Sequence, residues 1–133
     1  MFDEIDELKA ADQSGDYPME LPNEVQLVEV EEQLLMAMPS DLRTFQLTVS
    51  SLVIGSLEPV TIADPNMHTY LPEVAAEAWS QGVPRHLIPI CQRGEDYYVI
   101  REDNQIGLWQ GFDDVEPKWE TIWDWAMEVW LIS

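Results

Sequence analysis

Cys91, His68 and His86 have the most specific side-chain chemistry in the chain, and none of them sits in a pattern that uses it. One cysteine and two histidines cannot fill a four-ligand structural zinc site, and no HxxxH or CxxC spacing occurs. Asp64 and His68 could meet in one loop, but such a pair is ordinarily a surface hydrogen bond. The clusters Glu102-Asp103-Asn104 and Asp113-Asp114-Glu116 lack the alternating carboxylates and distal glutamate of a calcium loop, so neither a metal nor any other cofactor is expected. Cys91 lies in an apolar run, where burial raises a thiol's pKa and makes it inert. His86, between Arg85 and Leu87, reads as a loop histidine. No GxSxG elbow, phosphate loop or GxGxxG is present; Gly107 and Gly111 flank Leu108-Trp109-Gln110 with neither spacing. With 26 acids, close carboxylate pairs arise by chance and specify no hydrolytic site. The residues therefore point away from an enzyme.

What remains is binding. The net charge of −20, from 6 bases and 26 acids, disfavours nucleic acid and anionic membranes as partners, so a charged partner should be basic. The acids crowd the stretches 1–32 and 95–133, and the middle of the chain is close to neutral. The plainer alternative is that the acids only keep the surface soluble. Aromatic residues rimmed by charge have the composition of interface centres. On that ground Tyr98, Trp109 and Trp125, with Asp113, Asp114, Glu116, Asp124 and Glu128, are the candidate partner-binding residues. Tyr97 and Tyr98 point to opposite faces of one strand, so one of them meets solvent or a second layer. A sheet covered on both faces would leave no such site.

These residues must be positioned by elements that the sequence spells out. The stretch from Leu87 to Gln110 reads as three strands, Leu87 to Gln92, Asp96 to Arg101 and Ile106 to Trp109, joined by Arg93-Gly94 and Glu102-Asp103-Asn104 into an antiparallel meander. Upstream, Phe2, Ile5 and Leu8 recur at helical spacing in a short acidic segment, residues 1–22, that is expected to be frayed and partly mobile. Asn23 suits the N-cap of a helix from Glu24 to Ala37 with Leu27, Val30, Leu34 and Met38 as its apolar face, although Val25 to Glu31 also alternates like a strand. After Met38-Pro39, Ser40 and Asp41 start a second helix to Ser51 carrying Leu42, Phe45 and Val49. A short strand from Glu58 to Ile62 and a turn at Asp64-Pro65-Asn66 follow. Pro72 and Gly82 then bracket a helix from Leu71 to Gln81.

The last element is expected to be a helix from Lys118 to Leu131 after a loop from Gly111 to Pro117. Its Trp119, Ile122, Trp123, Ala126, Met127, Val129 and Trp130 cover more than half the circumference at 100° per residue. Trp125 falls at the border of that arc, which makes it the indole expected to stay partly exposed. The order is ααβαβββα, a single α+β domain over residues 23–133 with helices packed on an antiparallel sheet. At 133 residues such a domain buries about two-thirds of its unfolded surface, so disulfides are not needed. A single cysteine, the lack of a signal peptide and the lack of a run of about 20 apolar residues place the expectation in the cytoplasm.

The assembled pattern resembles the SUKH superfamily of fungal cell-wall-assembly regulators and bacterial immunity proteins. Met38-Pro39-Ser40-Asp41-Leu42-Arg43-Thr44-Phe45 is similar to that family's LPxDLRxF helix start, and Leu87-Ile88-Pro89-Ile90 to its IPI strand. Gly94-Glu95-Asp96-Tyr97-Tyr98-Val99-Ile100 is similar to its GDYYxID strand, and Gly107-Leu108-Trp109 to its GxVxxW strand. With the closing helix, the resemblance covers residues 24 to 131. It implies a non-enzymatic protein-binding module, most often a bacterial immunity protein that neutralises a cognate toxin, commonly a basic nuclease. The alternative it implies is a regulatory or scaffold domain that binds a housekeeping protein. Neither nucleic acid nor membrane is an expected partner, and a homo-oligomer stays open.

Overall fold

The computed structural model describes residues 2–15, 19–112 and 115–133, Phe2 by its backbone alone. α1 (Phe2–Ala10) buries Ile5 and Leu8 in the main core. Its end is tied down: Asp12 Oδ1 accepts from Val53 N–H at 2.9 Å, and Gln13 N–H donates to the Val53 carbonyl at 2.7 Å.

Asn23 starts α2 (Glu24–Leu34) through a closed capping box. Its Oδ1 accepts from Gln26 N–H at 2.9 Å, while Gln26 Oε1 accepts from Asn23 N–H at 2.9 Å. Leu27, Val30 and Leu34 are buried as the periodicity predicts. The helix stops three residues short of the expected Ala37 because Leu35 turns left-handed at φ 59°. α3 (Ser40–Thr48) has Pro39 as its N-cap residue and no side-chain cap of its own. Asn104, from the turn after the second strand, supplies one instead: its Oδ1 accepts from Asp41 N–H at 3.0 Å. A turn of the meander thus caps a helix more than sixty residues earlier.

Glu58 to Ile62 is not a full strand. Pro59 bridges to Cys91 and Thr61 to Tyr70, and Val60 N–H reaches the Ile90 carbonyl at 2.8 Å. Proline 59 has no N–H, and Thr61 sends its own backbone bonds to Thr69 and Leu71, so no ladder can extend. The Asp64 turn forms as expected, with Asn66 N–H on Asp64 Oδ1 at 2.9 Å. α4 (Leu71–Gln81) begins with Pro72 in its first turn and ends at Gly82, whose φ of 116° suits only glycine.

The meander is β1 (Ile88–Arg93), β2 (Asp96–Ile100) and β3 (Ile106–Trp109), and a fourth strand, β4 (Pro117–Trp119), extends it. The sheet is wholly antiparallel in the order β1-β2-β3-β4, with a bulge between Pro89 and Cys91. β4 replaces the expected helix start at Lys118. It pairs Trp119 with Ile106 and Pro117 with Gly107. A Cβ on Gly107 would lie 2.6 Å from Val115 Cγ1 and 2.9 Å from the Glu116 carbonyl, so glycine is what admits the incoming chain. The closing helix therefore begins later, at α5 (Ile122–Trp125), where Thr121 Oγ1 accepts from Asp124 N–H at 3.1 Å. It then widens into a π-type turn over Ala126–Trp130, with Leu131 N–H on the Ala126 carbonyl at 2.7 Å.

Both faces of the sheet are covered. Tyr98, Ile100 and Ile106 join the main core with residues of α1, α2, α3, α5 and the π turn. Tyr97, Val99 and Trp109 join a second cluster with Ala78, Val83 and Leu87, against which Val74 and Trp79 of α4 pack. Tyr97 therefore meets a second layer rather than solvent.

Candidate functional site

The groups with intrinsic reactivity are dispersed. His68 Nε2 pairs with Glu58 Oε2, not with Asp64, and both partners are exposed. His86 is exposed and Cys91 is buried, its thiol pushed up to about 12 chiefly by that burial. Among the described residues no group of three or more His, Cys, Asp or Glu could hold a metal ion.

The candidate interface residues separate into an inside and an outside set. Tyr98 is buried, between Trp125 at 5.4 Å and Trp119 at 5.8 Å, and its hydroxyl accepts from Arg93 Nη1 at 3.1 Å. Trp109 is buried on the opposite face, 6.1 Å from Tyr97. Trp125, expected at the helix border, is fully buried instead. The π turn is the reason: each residue advances through a smaller angle than in an α-helix, so positions five apart come to lie over one another. Trp125 and Trp130 accordingly stack, with centroids 6.5 Å apart and planes at 19°. In a regular α-helix, five residues would place them 140° apart. Glu116, Asp124 and Glu128 are exposed, whereas Asp113 and Asp114 lie outside the described residues. The expected interface of aromatics rimmed by acids does not assemble as one surface, because its rings are core.

Tyr98 and Glu128 still share one feature, an open groove of about 520 Å³ whose walls include Leu108 and Trp119 with Arg93 and Lys118. Neither cation is in an ion pair among the described residues, though Arg93 is spent in part on the Tyr98 hydroxyl.

Ile132 in that groove and Leu21, Val53 and Phe112 are exposed, and three further exposed apolar side chains lie on and just past α2. Val25 is 66% exposed, Val28 47% and Leu35 84%, on the side opposite Leu27, Val30 and Leu34. Glu29 and Glu32 lie among them, exposed and without a cation among the described residues, whereas Glu24 and Glu31 share Arg43 at 3.5 and 2.9 Å. The sequence did carry the signal. Val25 to Glu31 alternates like a strand because the helix is apolar on two sides, of which only one faces the core.

A four-stranded antiparallel meander layered by helices on both faces defines a single α+β domain. The family model SUKH_5, described as SMI1-KNR4 cell-wall, matches residues 1–131, and the chain belongs to that family. Its domains are generally non-catalytic binding modules. The chain is similar to a protein from Pseudomonas syringae pv. tomato known from a crystal structure, with 53% identity, 100% of each chain covered and a TM-score of 0.94. Among curated proteins none matches it. Among the described residues no helix is long and apolar enough to cross a membrane.

Proposed function

We propose that the protein is an immunity-type binding module that neutralises a basic toxin domain, such as a nuclease, by covering it. The observation that carries this reading is the surplus of exposed carboxylates that the fold itself does not use. Glu29, Glu32, Glu116, Asp124 and Glu128 are exposed and pair with no cation among the described residues, in a chain of net charge −20. Fold stability does not account for them, since unpaired like charges repel one another. A basic partner converts that repulsion into attraction, speeds encounter and gives specificity against acidic competitors.

The test is affinity capture from the source organism's lysate at low ionic strength, with elution in rising salt. A basic nuclease-like protein released at high salt, whose activity the purified chain suppresses, supports the reading. Capture of a neutral housekeeping protein that resists salt would replace it with the regulatory reading.

A further inference from the structure

Three features of α2 are unexplained by folding. Val25 and Val28 stand three residues apart on its outer face and are therefore surface neighbours, although β-branched residues are weaker helix formers than the lysine or glutamate usual at exposed positions. Leu35, just past the helix end, is left-handed at φ 59°, a conformation that glycine or asparagine adopts without strain, and its side chain is 84% exposed. The turn it makes needs only its backbone: Met36 N–H reaches the Glu31 carbonyl at 3.3 Å and Leu35 N–H the Glu32 carbonyl at 3.3 Å. Strain combined with an apolar side chain in solvent is the kind of outlier that points to function.

We propose that the outer face of α2 is a docking surface for a basic amphipathic helix of a partner protein, an inference that rests on the basic-partner reading and gives it a location. Charge selects the occupant. The segment Glu24–Leu34 contains no lysine or arginine, and its free carboxylates, Glu29 and Glu32, sit beside and within the apolar stripe. A second copy of the chain would bring these carboxylates against their own images, which is unfavourable. A helix with an apolar stripe flanked by lysine or arginine satisfies both features, seating its stripe on Val25, Val28 and Leu35. Arg43 holds Glu24 and Glu31, the i, i+4 neighbours of Val28 and Leu35 along one edge of the stripe, and leaves Glu29 and Glu32 for the partner's cations.

The experiment uses the full chain and two synthetic leucine–lysine peptides of identical composition. One has leucines at i, i+3, i+4 and i+7, and the other has them spread around the helix. Fluorescence anisotropy at low salt should find the striped peptide bound about tenfold or more tightly than the scrambled one. Val28→Ser, Leu35→Asn and the pair Glu29→Gln/Glu32→Gln should each weaken the striped peptide severalfold. The two apolar variants should leave the scrambled peptide unchanged. Leu35→Asn should also raise the melting temperature, a combination that a purely structural residue would not give and that keeps the test valid should Val28→Ser fold poorly. Variants that bind the striped peptide like the native chain would move the docking surface away from α2 while leaving the basic-partner reading intact. Failure of both peptides to bind would overturn that reading together with the proposal. A native dimer in sedimentation that Val28→Ser dissolves would make the occupant a second copy and overturn the proposal alone.

Discussion

Cys91 and Trp125 show how much a residue's role depends on where the chain buries it. The Cys91 thiol, raised to about 12 by desolvation, is almost wholly protonated at neutral pH and shielded from solvent. In native buffer it should resist iodoacetamide and should react fully only in denaturant; mass spectrometry of the labelled chain measures both, and fast native labelling would mean that β1 opens readily. Trp125 touches Tyr98 and Trp130 and has no exposure. Trp125→Ala should therefore cost about 3–5 kcal/mol in urea unfolding, the usual penalty for emptying a large core site. Glu128→Gln, on the surface one turn away, should change stability by no more than about 0.5 kcal/mol. If the tryptophan is instead an exposed anchor, its removal would spare stability and affect only binding.

Among the elements, the caps that Asn104 and Asp12 supply to distant segments are sensitive points. Asn104 both caps α3 and holds φ 70° in the β2–β3 turn. Asn104→Gly keeps the backbone and loses the cap, which should cost about 1 kcal/mol. Asn104→Ala loses the cap and also strains the turn, adding about 1 kcal/mol more. Equal urea midpoints for the two variants would show that the left-handed turn carries no cost. Asp12 fastens the end of α1. Burial pushes its carboxyl upward, but hydrogen bonds from Val53, from the Ser14 hydroxyl and backbone, and from Gln13 outweigh it and hold the pKa below the ordinary value. A lowered folded pKa means that the stabilisation is present above the unfolded carboxylate value, about 4, and is lost as pH falls through the folded value. Asp12→Ala should thus cost roughly 1 kcal/mol at neutral pH, a figure reduced for partial solvation. The gap from the native chain should close in urea titrations run below about pH 4.

How far these elements could be foreseen follows from the range of the forces that form them. The capping box at Asn23, the Pro72 and Gly82 boundaries and the β1 to β3 meander are set by neighbours in sequence, and the residues announce them. β4 exists because Gly107 lets a distant loop approach, and the π turn brings Trp125 over Trp130 in the core; neither is encoded by a motif local in sequence. The rings of the candidate interface lie in the core for the same reason. Aromatic type marks core and interface alike, and only tertiary packing distinguishes them, which closes Tyr98 and Trp125 into the main core and Trp109 into the second cluster. The exposed stripe of α2 was hidden differently, since a helix apolar on two sides has no single period to read.

At the scale of the whole molecule the dominant quantity is charge. Arg43 and Arg101 are the only Lys or Arg residues in ion pairs among the described residues, so the fold derives little stability from attraction between its own charges. A net charge of −20 leaves repulsion as the larger long-range effect. Salt should therefore stabilise the free protein. Raising sodium chloride from about 0.01 to 1 M shrinks the screening length from roughly 30 to 3 Å, and the melting temperature measured by circular dichroism should rise steadily over that range. The same salt should weaken a complex with a basic partner, because the repulsion being screened in the free chain is the attraction being screened in the complex. The two curves should therefore run in opposite directions, and a partner added at low salt should raise the melting temperature most where the free chain is least stable. A melting temperature that falls with added chloride would mean that local attractions outweigh the net field, and the acidic surface would then need an explanation within the fold rather than in a partner.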